Sequence, residues 1–234
     1  MKIEIWSDVV CPWCYIGKRR IETALAGFEH ADDVEVVWHS FQLDPGAPRE
    51  SVESVPEMLG RKYGGGPEAG RQMVDRTEAV AAEAGLIFRL HQAQRANTVD
   101  AHRLLHLALE TGGPDLQGRL KERLLAAYFT ETANVADHAV LRAAAGETGL
   151  DPARVDAVLA SDEYADDVQA DIDRAHAFGA TGVPFFVVDE KYGVSGAQPV
   201  EVFDQVLRQA WAERTPTVQL VGGSEDICGP DGCA

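Results

Sequence analysis

The chain predicts an α/β protein in which a small sheet is split by a long all-helical block. Three observations carry this reading: a strand, helix, strand order through residue 43, a helical period from about Val55 to Phe178, and a strand, strand, helix order after it. With 234 residues, 45% of them hydrophobic, the chain has ample material for a packed core.

The elements follow in order. "KIEIWS" (2–7) alternates Ile3 and Ile5 with polar neighbours and predicts a strand. A helix is expected from Pro12 to about Phe28, with Ile16, Ile21, Leu25 and Phe28 on one face and Pro12 in the first turn, where its missing N–H matters least. "VEVVWHSFQL" (34–43) reads as a second strand, ended by a turn-rich stretch in which Pro45 and Pro48 cannot extend a ladder. The helical block is punctuated at "YGGGP" (63–67), "TGGPD" (111–115) and "GLDP" (149–152). Within it, Thr98 is the expected cap of "TVDAHRLLHLALE", and "DEYADDVQADIDRAHAFG" places acids early and Arg174 and His176 late, as the helix dipole prefers. "PFFVVD" and "YGVSG" predict a hairpin turning at Asp189 to Lys191. A last helix follows, burying Val200, Val202, Phe203, Val206, Leu207 and Trp211, and then a Gly-rich tail.

Charge and composition exclude some functions. A net charge of −17 argues against nucleic acid or an anionic membrane surface as partner, since phosphates would be repelled. No stretch reaches the roughly 18 apolar residues of a membrane span. The opening residues carry Glu4 and Asp8 rather than a basic secretion signal, so a cytoplasmic location is expected. In that reducing compartment cysteines are more often catalytic, redox-sensing or metal-binding than structural.

Two of the four cysteines lie in "SDVVCPWCYIGKRRIETAL" (7–25), at a strand-to-helix junction. A thiol at a helix N-terminus faces free backbone N–H groups and the positive end of the dipole, so Cys11 is the expected nucleophile, with a stabilised thiolate. Cys14, one turn on, is placed to resolve a mixed disulfide at Cys11. Pro12 stiffens the turn, and Trp13 offers an aromatic face to an apolar substrate segment. A zinc half-site is the competing reading, but it needs two more ligands, and the other cysteines are more than two hundred residues away. A chance pair of core cysteines leaves the flanking Pro and Trp unexplained.

"DVVCPWCYIGKRR", "ANTVDAHRLLHLA" and "GATGVPFFVVDEKYGVSGAQ" together resemble the DsbA family of thioredoxin-fold oxidoreductases, especially its FrnE-like cytoplasmic branch. The resemblance spans nearly the whole chain. It implies an α/β thioredoxin fold in two parts, 1–48 and 177–215, with a helical insertion domain at 49–176 and a flexible tail at 216–234. It further implies that Pro184 is cis, beside the redox pair, and that the backbone of Val183 pairs with an incoming polypeptide. The implied activity is reduction or rearrangement of protein disulfides by Cys11 and Cys14. No cofactor is implied beyond glutathione as a reductant, with a thioredoxin or glutathione system recycling the pair. Kappa-class glutathione transferases and 2-hydroxychromene-2-carboxylate isomerases share the architecture but typically carry serine at the first cysteine position. A glutathione-dependent isomerase or transferase is therefore one alternative, and a redox sensor binding zinc through all four cysteines is another.

Cys228 and Cys233, in "CGPDGC", can meet across a tight loop and form an accessory redox pair, a feature some FrnE-like proteins resemble; incidental tail cysteines are the other reading. His102 and His106 lie four apart on a helix with no supporting ligand cluster, so packing or exposure is expected rather than metal binding. The Gly64 to Gly66 run lacks the context of a phosphate loop and reads as a turn. The Asp-rich face near residue 166 reads as solvated.

Overall fold

The computed structural model describes residues 1–214, together with the backbone at 228–229 and 232–233. A four-stranded sheet is ordered β2-β1-β3-β4, from β1 (Lys2–Ser7), β2 (Glu35–Ser40), β3 (Phe185–Val188) and β4 (Tyr192–Ser195). β1 pairs parallel with β2 and antiparallel with β3, which pairs antiparallel with β4. The parallel pair is joined through α1 (Pro12–Ala26), the crossover that parallel strands require.

Strand alternation sorts the core into two faces. Ile3 and Ile5 point to one side, where they meet Ile21, Ala24 and Phe28 near α1 and Phe203 and Leu207 of α8 (Val200–Ala212). Trp6 points to the other, against Phe185, Val187 and Ala175 of α7 (Ala165–Ala177). Helices therefore cover both faces of the sheet.

Between β2 and β3 the chain runs through α2 (Val55–Tyr63), α3 (Gly66–Glu83), α4 (Val99–Phe129), α5 (His138–Thr148), α6 (Pro152–Leu159) and α7. α4 supplies Leu104, Leu107, Leu120, Leu124 and Phe129 to a core that also takes in Val9, Tyr15 and Ile16 from the Cys11 region. The helical block and the sheet thus share buried surface around the two cysteines. α2 and α3 touch through their backbones: a Cβ on Gly60 would lie 2.0 Å from the Gly66 carbonyl oxygen, and one on Gly70 1.8 Å from that of Pro56. Only glycine permits this approach.

The expected punctuation is present. Gly64, Gly65 and Gly66 all have positive φ and turn α2 into α3, while Gly113 (φ 67°) and Pro114 kink α4 at "TGGPD". Three expectations change. β2 stops at Ser40 rather than residue 43, because the Leu43 N–H leaves the ladder to donate to Asp8 Oδ2 at 2.8 Å. Thr98 makes no side-chain cap, and Asn97 Oδ1 instead accepts from the Val99 N–H at 3.0 Å. The Asp-rich face of α7 is not wholly solvated. Asp171 is buried, accepting from the Ser40 N–H at 2.7 Å and contacting His39 Nδ1 at 2.6 Å. It sits three residues after Val168 and four before Ala175, both buried, so it lies on the packed stripe of its helix.

Candidate active site

Cys11 is the N-cap residue of α1, with extended backbone (φ −91°, ψ 115°) and Pro12 following at the first helical position. Its carbonyl begins the helix by accepting from the Cys14 N–H at 3.1 Å. Both cysteines are buried free thiols, and Trp13 between them is 43% exposed. The sequence pattern explains this split. Position 13 faces outward from the first turn, while Cys14 turns inward with Tyr15 and Ile16.

Val183 and Pro184 are joined by a cis peptide bond, and the Cys11 Sγ–H donates to the Val183 carbonyl at 3.6 Å. Gly17, one turn beyond Cys14, lets α1 lie against this loop. A Cβ there would be 3.1 Å from Pro184 Cγ and 3.2 Å from Phe186 Cζ. Thus Cys11, Cys14, Trp13, Val183 and Pro184 converge at one end of the sheet.

The expected stabilised thiolate at Cys11 is corrected. The neighbouring Cys14 sulfur, burial and, more weakly, the negative field of Asp8 push the Cys11 thiol well above the ordinary range, outweighing the Cys14 backbone N–H. The helix N-terminus is present, but the Cys11 side chain is almost wholly buried at the cavity wall and its S–H donates a hydrogen bond to a carbonyl.

Behind the cysteines lies a buried polar group that sequence reasoning did not find. Asp8 is held ionised despite burial, through His102 Nε2 at 3.2 Å and the Leu43 N–H. Burial lowers the His102 pKa below 6.5, so its neutral Nε2–H tautomer donates to Asp8 and its Nδ1 is left without a hydrogen-bond partner. Lys121 of α4 is also wholly buried, donating to the Ser7 carbonyl at 3.2 Å and lying 5.6 Å from the Trp38 ring centre. No carboxylate pairs with it among the described residues. Burial brings its pKa from 10.5 to about 8, and the negative charge that Cys14 can carry is the strongest opposing influence. His102 has the packing role expected of it, whereas His106 contacts Asp171 Oδ2 at 3.1 Å.

A second group fixes α1 to α4. Glu122 accepts from Tyr15 Oη at 2.6 Å and pairs with Lys18 at 2.7 Å and with Arg19. Burial opposes its charge, but these three donors prevail and hold its pKa at about 2. The position of the cysteine helix therefore depends on the helical block.

A cavity of about 600 Å³ opens beside the pair. Cys11, Trp13 and Val183 form one wall, and α2 and α3 form the opposite wall through Met58, Tyr63 and Met73. Cys228–Gly229 and Gly232–Cys233 form two short antiparallel strands, β5 and β6, that place Cys228 directly across from Cys233. The rest of the tail lies outside the described residues. Among the described residues no group of His, Cys, Asp and Glu has the makings of a metal site, and no helix is long and apolar enough to cross a membrane.

Fold and site together define a thioredoxin-fold protein built for thiol–disulfide chemistry, with its dithiol at a helix N-terminus opposite a cis-proline loop. The DSBA-like thioredoxin domain pattern matches residues 2–208, and the chain belongs to that family. It is 49% identical to a probable DsbA oxidoreductase, SCO1869 from Streptomyces coelicolor, with a TM-score of 0.87 over 100% of this chain and 98% of that one. It is 27% identical to the uncharacterized protein YwbO of Bacillus subtilis (strain 168), over 88% of this chain and 94% of the relative. The cytosolic disulfide reductase DsbM from Pseudomonas aeruginosa, solved with GSH, is 16% identical with a TM-score of 0.65, covering 91% of this chain and 100% of that one, and shares the fold.

Proposed function

We propose that this protein reduces or rearranges disulfides in polypeptides, with Cys11 as nucleophile and Cys14 as resolving thiol. The observation that carries the reading is the Cys11 sulfur at the α1 N-terminus, 3.6 Å from the Val183 carbonyl and opening on the cavity. Cys11 releases its proton to the solvent of the open cavity and attacks one sulfur of the substrate disulfide. A Cys11–substrate disulfide forms and the other substrate sulfur leaves as a thiolate. Cys14 then loses its proton and attacks Cys11 Sγ. The Cys11–Cys14 disulfide forms and the second substrate sulfur departs. The pair is oxidised by two electrons and the substrate disulfide is reduced by two. Cys14 is sealed from water, so its proton needs an internal acceptor, and Lys121, buried close enough to feel the charge of Cys14 and with its pKa lowered to about 8, is the candidate for that role.

The same chemistry favours one direction. Strong oxidants of this fold stabilise the thiolate and hence the reduced state. Here the Cys14 sulfur, burial and the Val183 carbonyl favour the thiol over the thiolate, which supports a reducing rather than an oxidising direction. A reducing compartment such as the cytoplasm suits this direction, consistent with a FrnE-like role, and a thioredoxin- or glutathione-class thiol resets the pair. Val183 and Pro184 position the substrate chain while Pro12 and Trp13 border it. Cys228 and Cys233, in opposed register, act as an accessory dithiol that exchanges with the first.

The test is a trapping experiment. Cys14→Ser should accumulate a mixed disulfide between Cys11 and a reduced-on-turnover protein such as insulin, and Cys11→Ser should lose both trapping and reduction. Reduction that persists in Cys11→Ser sinks the proposal. Turnover of a small aromatic substrate with glutathione that survives Cys14→Ser would favour an isomerase or transferase instead.

A further inference from the structure

The cavity beside Cys11 carries an excess of positive charge in a strongly acidic chain. Its lining holds three cations, Lys62, Arg76 and Arg95, and one carboxylate, Asp44. Asp44 is already occupied by Arg95, which donates to it at 2.6 and 3.0 Å. Lys62 and Arg76 are exposed and have no carboxylate partner among the described residues; Arg76 donates only to the Gln72 carbonyl, and Lys62 lies 5.6 Å from the Tyr63 ring centre. An excess of two positive charges thus borders the nucleophile in a chain whose net charge is −17.

The surface between these cations and Cys11 is apolar and adaptable. Trp13 (43% exposed) and Tyr63 (63% exposed) present flat aromatic faces, and Met58 and Met73 can repack around side chains of different shape. A space of about 600 Å³ holds a few side chains of a chain running past Cys11 rather than a folded domain.

Building on the reductase reading above, we propose that the site selects polypeptide disulfides whose attacked cysteine is flanked by a bulky apolar residue and an acidic residue. The apolar side chain sits against Trp13, Tyr63 and the methionines, and the carboxylate is held by Lys62 and Arg76. The chain's net negative charge disfavours an acidic partner in general, so the local attraction sets which segment enters and in what register. Lys62 and Arg76 are specificity-determining residues; neither takes part in the exchange of sulfur.

Three peptides, each dimerised through one cysteine and differing only in Glu, Gln or Lys beside a Phe-Cys core, test this with the full chain. At low salt the reduced wild-type protein should reduce the Glu peptide about tenfold faster than the Lys peptide, with the ratio falling as salt is added. The paired substitution Lys62→Gln with Arg76→Gln should bring that ratio close to one, and Lys62→Glu with Arg76→Glu should invert it. Equal rates for the three peptides in wild type, or a preference that survives the charge inversion, overturn the proposal. Neutral hydroxyethyl disulfide separates the two readings. If wild type does not reduce it, the reductase reading fails on its own account. The charge preference is then decided by fluorescence anisotropy of labelled peptides with serine for cysteine: tighter binding of the Glu peptide sustains it, and equal binding overturns it.

Discussion

Lys121→Met is expected to stabilise the protein at neutral pH while impairing its chemistry. The pKa of Lys121 falls from 10.5 to about 8 on burial, which corresponds to about 3 kcal/mol of unfavourable free energy for keeping the ammonium in the folded state below pH 8. Methionine removes that term and fills a similar volume, but leaves the Ser7 carbonyl without its 3.2 Å donor, a loss of about 1 kcal/mol. The net expectation is a gain of about 2 kcal/mol at pH 7. The sign of the pH dependence follows from proton counts. Between pH 8 and 10.5 the unfolded chain holds a proton on this lysine that the folded chain has lost, so wild-type stability rises with pH there. The advantage of Lys121→Met should therefore shrink through this window and reverse slightly above it. Urea unfolding of both proteins with their cysteines kept reduced, at intervals from pH 7 to 11, measures this as a difference in which the shared thiols cancel. A variant less stable than its parent at pH 7, or a difference that does not change with pH, would refute the reasoning. In the otherwise native protein, the same substitution should slow resolution at Cys14 most at neutral pH, where the lost base has no substitute. A buried charge that weakens the fold and feels the charge of the thiols is the pattern expected of a group kept for function.

The remaining predictions concern the supports of the site. Alkylation of Cys11 by iodoacetamide, followed by mass spectrometry, should be slow at pH 7 and still be rising with pH beyond the ordinary thiol range, and a plateau reached below pH 7 would contradict the raised thiol pKa. Glu122→Gln should destabilise the protein by about 1–2 kcal/mol at pH 7, a value discounted because the carboxylate is one-third exposed. Because Glu122 titrates at about 2 when folded and near 4.5 when unfolded, its stabilisation is present above 4.5 and lost as pH falls toward 2, so wild type and variant should converge in acid. Gly70→Ala would gain up to about 1 kcal/mol of helix propensity, but its methyl would fall 1.8 Å from the Pro56 carbonyl oxygen. Backbone cannot rotate away as a side chain can, so a net loss of about 2 kcal/mol or more is expected in thermal unfolding, with α2 displaced from the cavity wall.

The sequence announced the cysteines and Pro184 because their chemistry is local: a Cys-Pro-Trp-Cys segment at a strand-to-helix junction and a Val-Pro opening a strand are legible within a few residues. The sheet strands, α1 and the helical block were legible from their periods, and the glycine turns from conformations that other residues rarely adopt. What was not legible depends on distant packing. Lys121, Asp8 and His102 come from separate parts of the chain and acquire their shifted proton affinities only by sharing a dry space behind Cys14. A signal existed in the pattern of α4, where Lys121 follows Gln117 by four residues and adjoins the buried Leu120, so that two polar side chains stand on a packed face. Asp171 gave the same signal between Val168 and Ala175. The thiolate expected at Cys11 failed for a related reason: the helix N-terminus was visible in the sequence, but the Val183 carbonyl and the burial that favour the thiol were not.

The central claim, a reversible Cys11–Cys14 dithiol poised for reduction, is tested most directly by equilibrating the protein in glutathione redox buffers and quenching with a thiol-trapping reagent. Peptide mapping then follows the fraction of Cys11–Cys14 disulfide. The account predicts one two-electron transition with a midpoint at or below about −200 mV. A midpoint near the −120 mV of the strongest oxidants of this fold, or the absence of a Cys11–Cys14 disulfide at any poise, would contradict it.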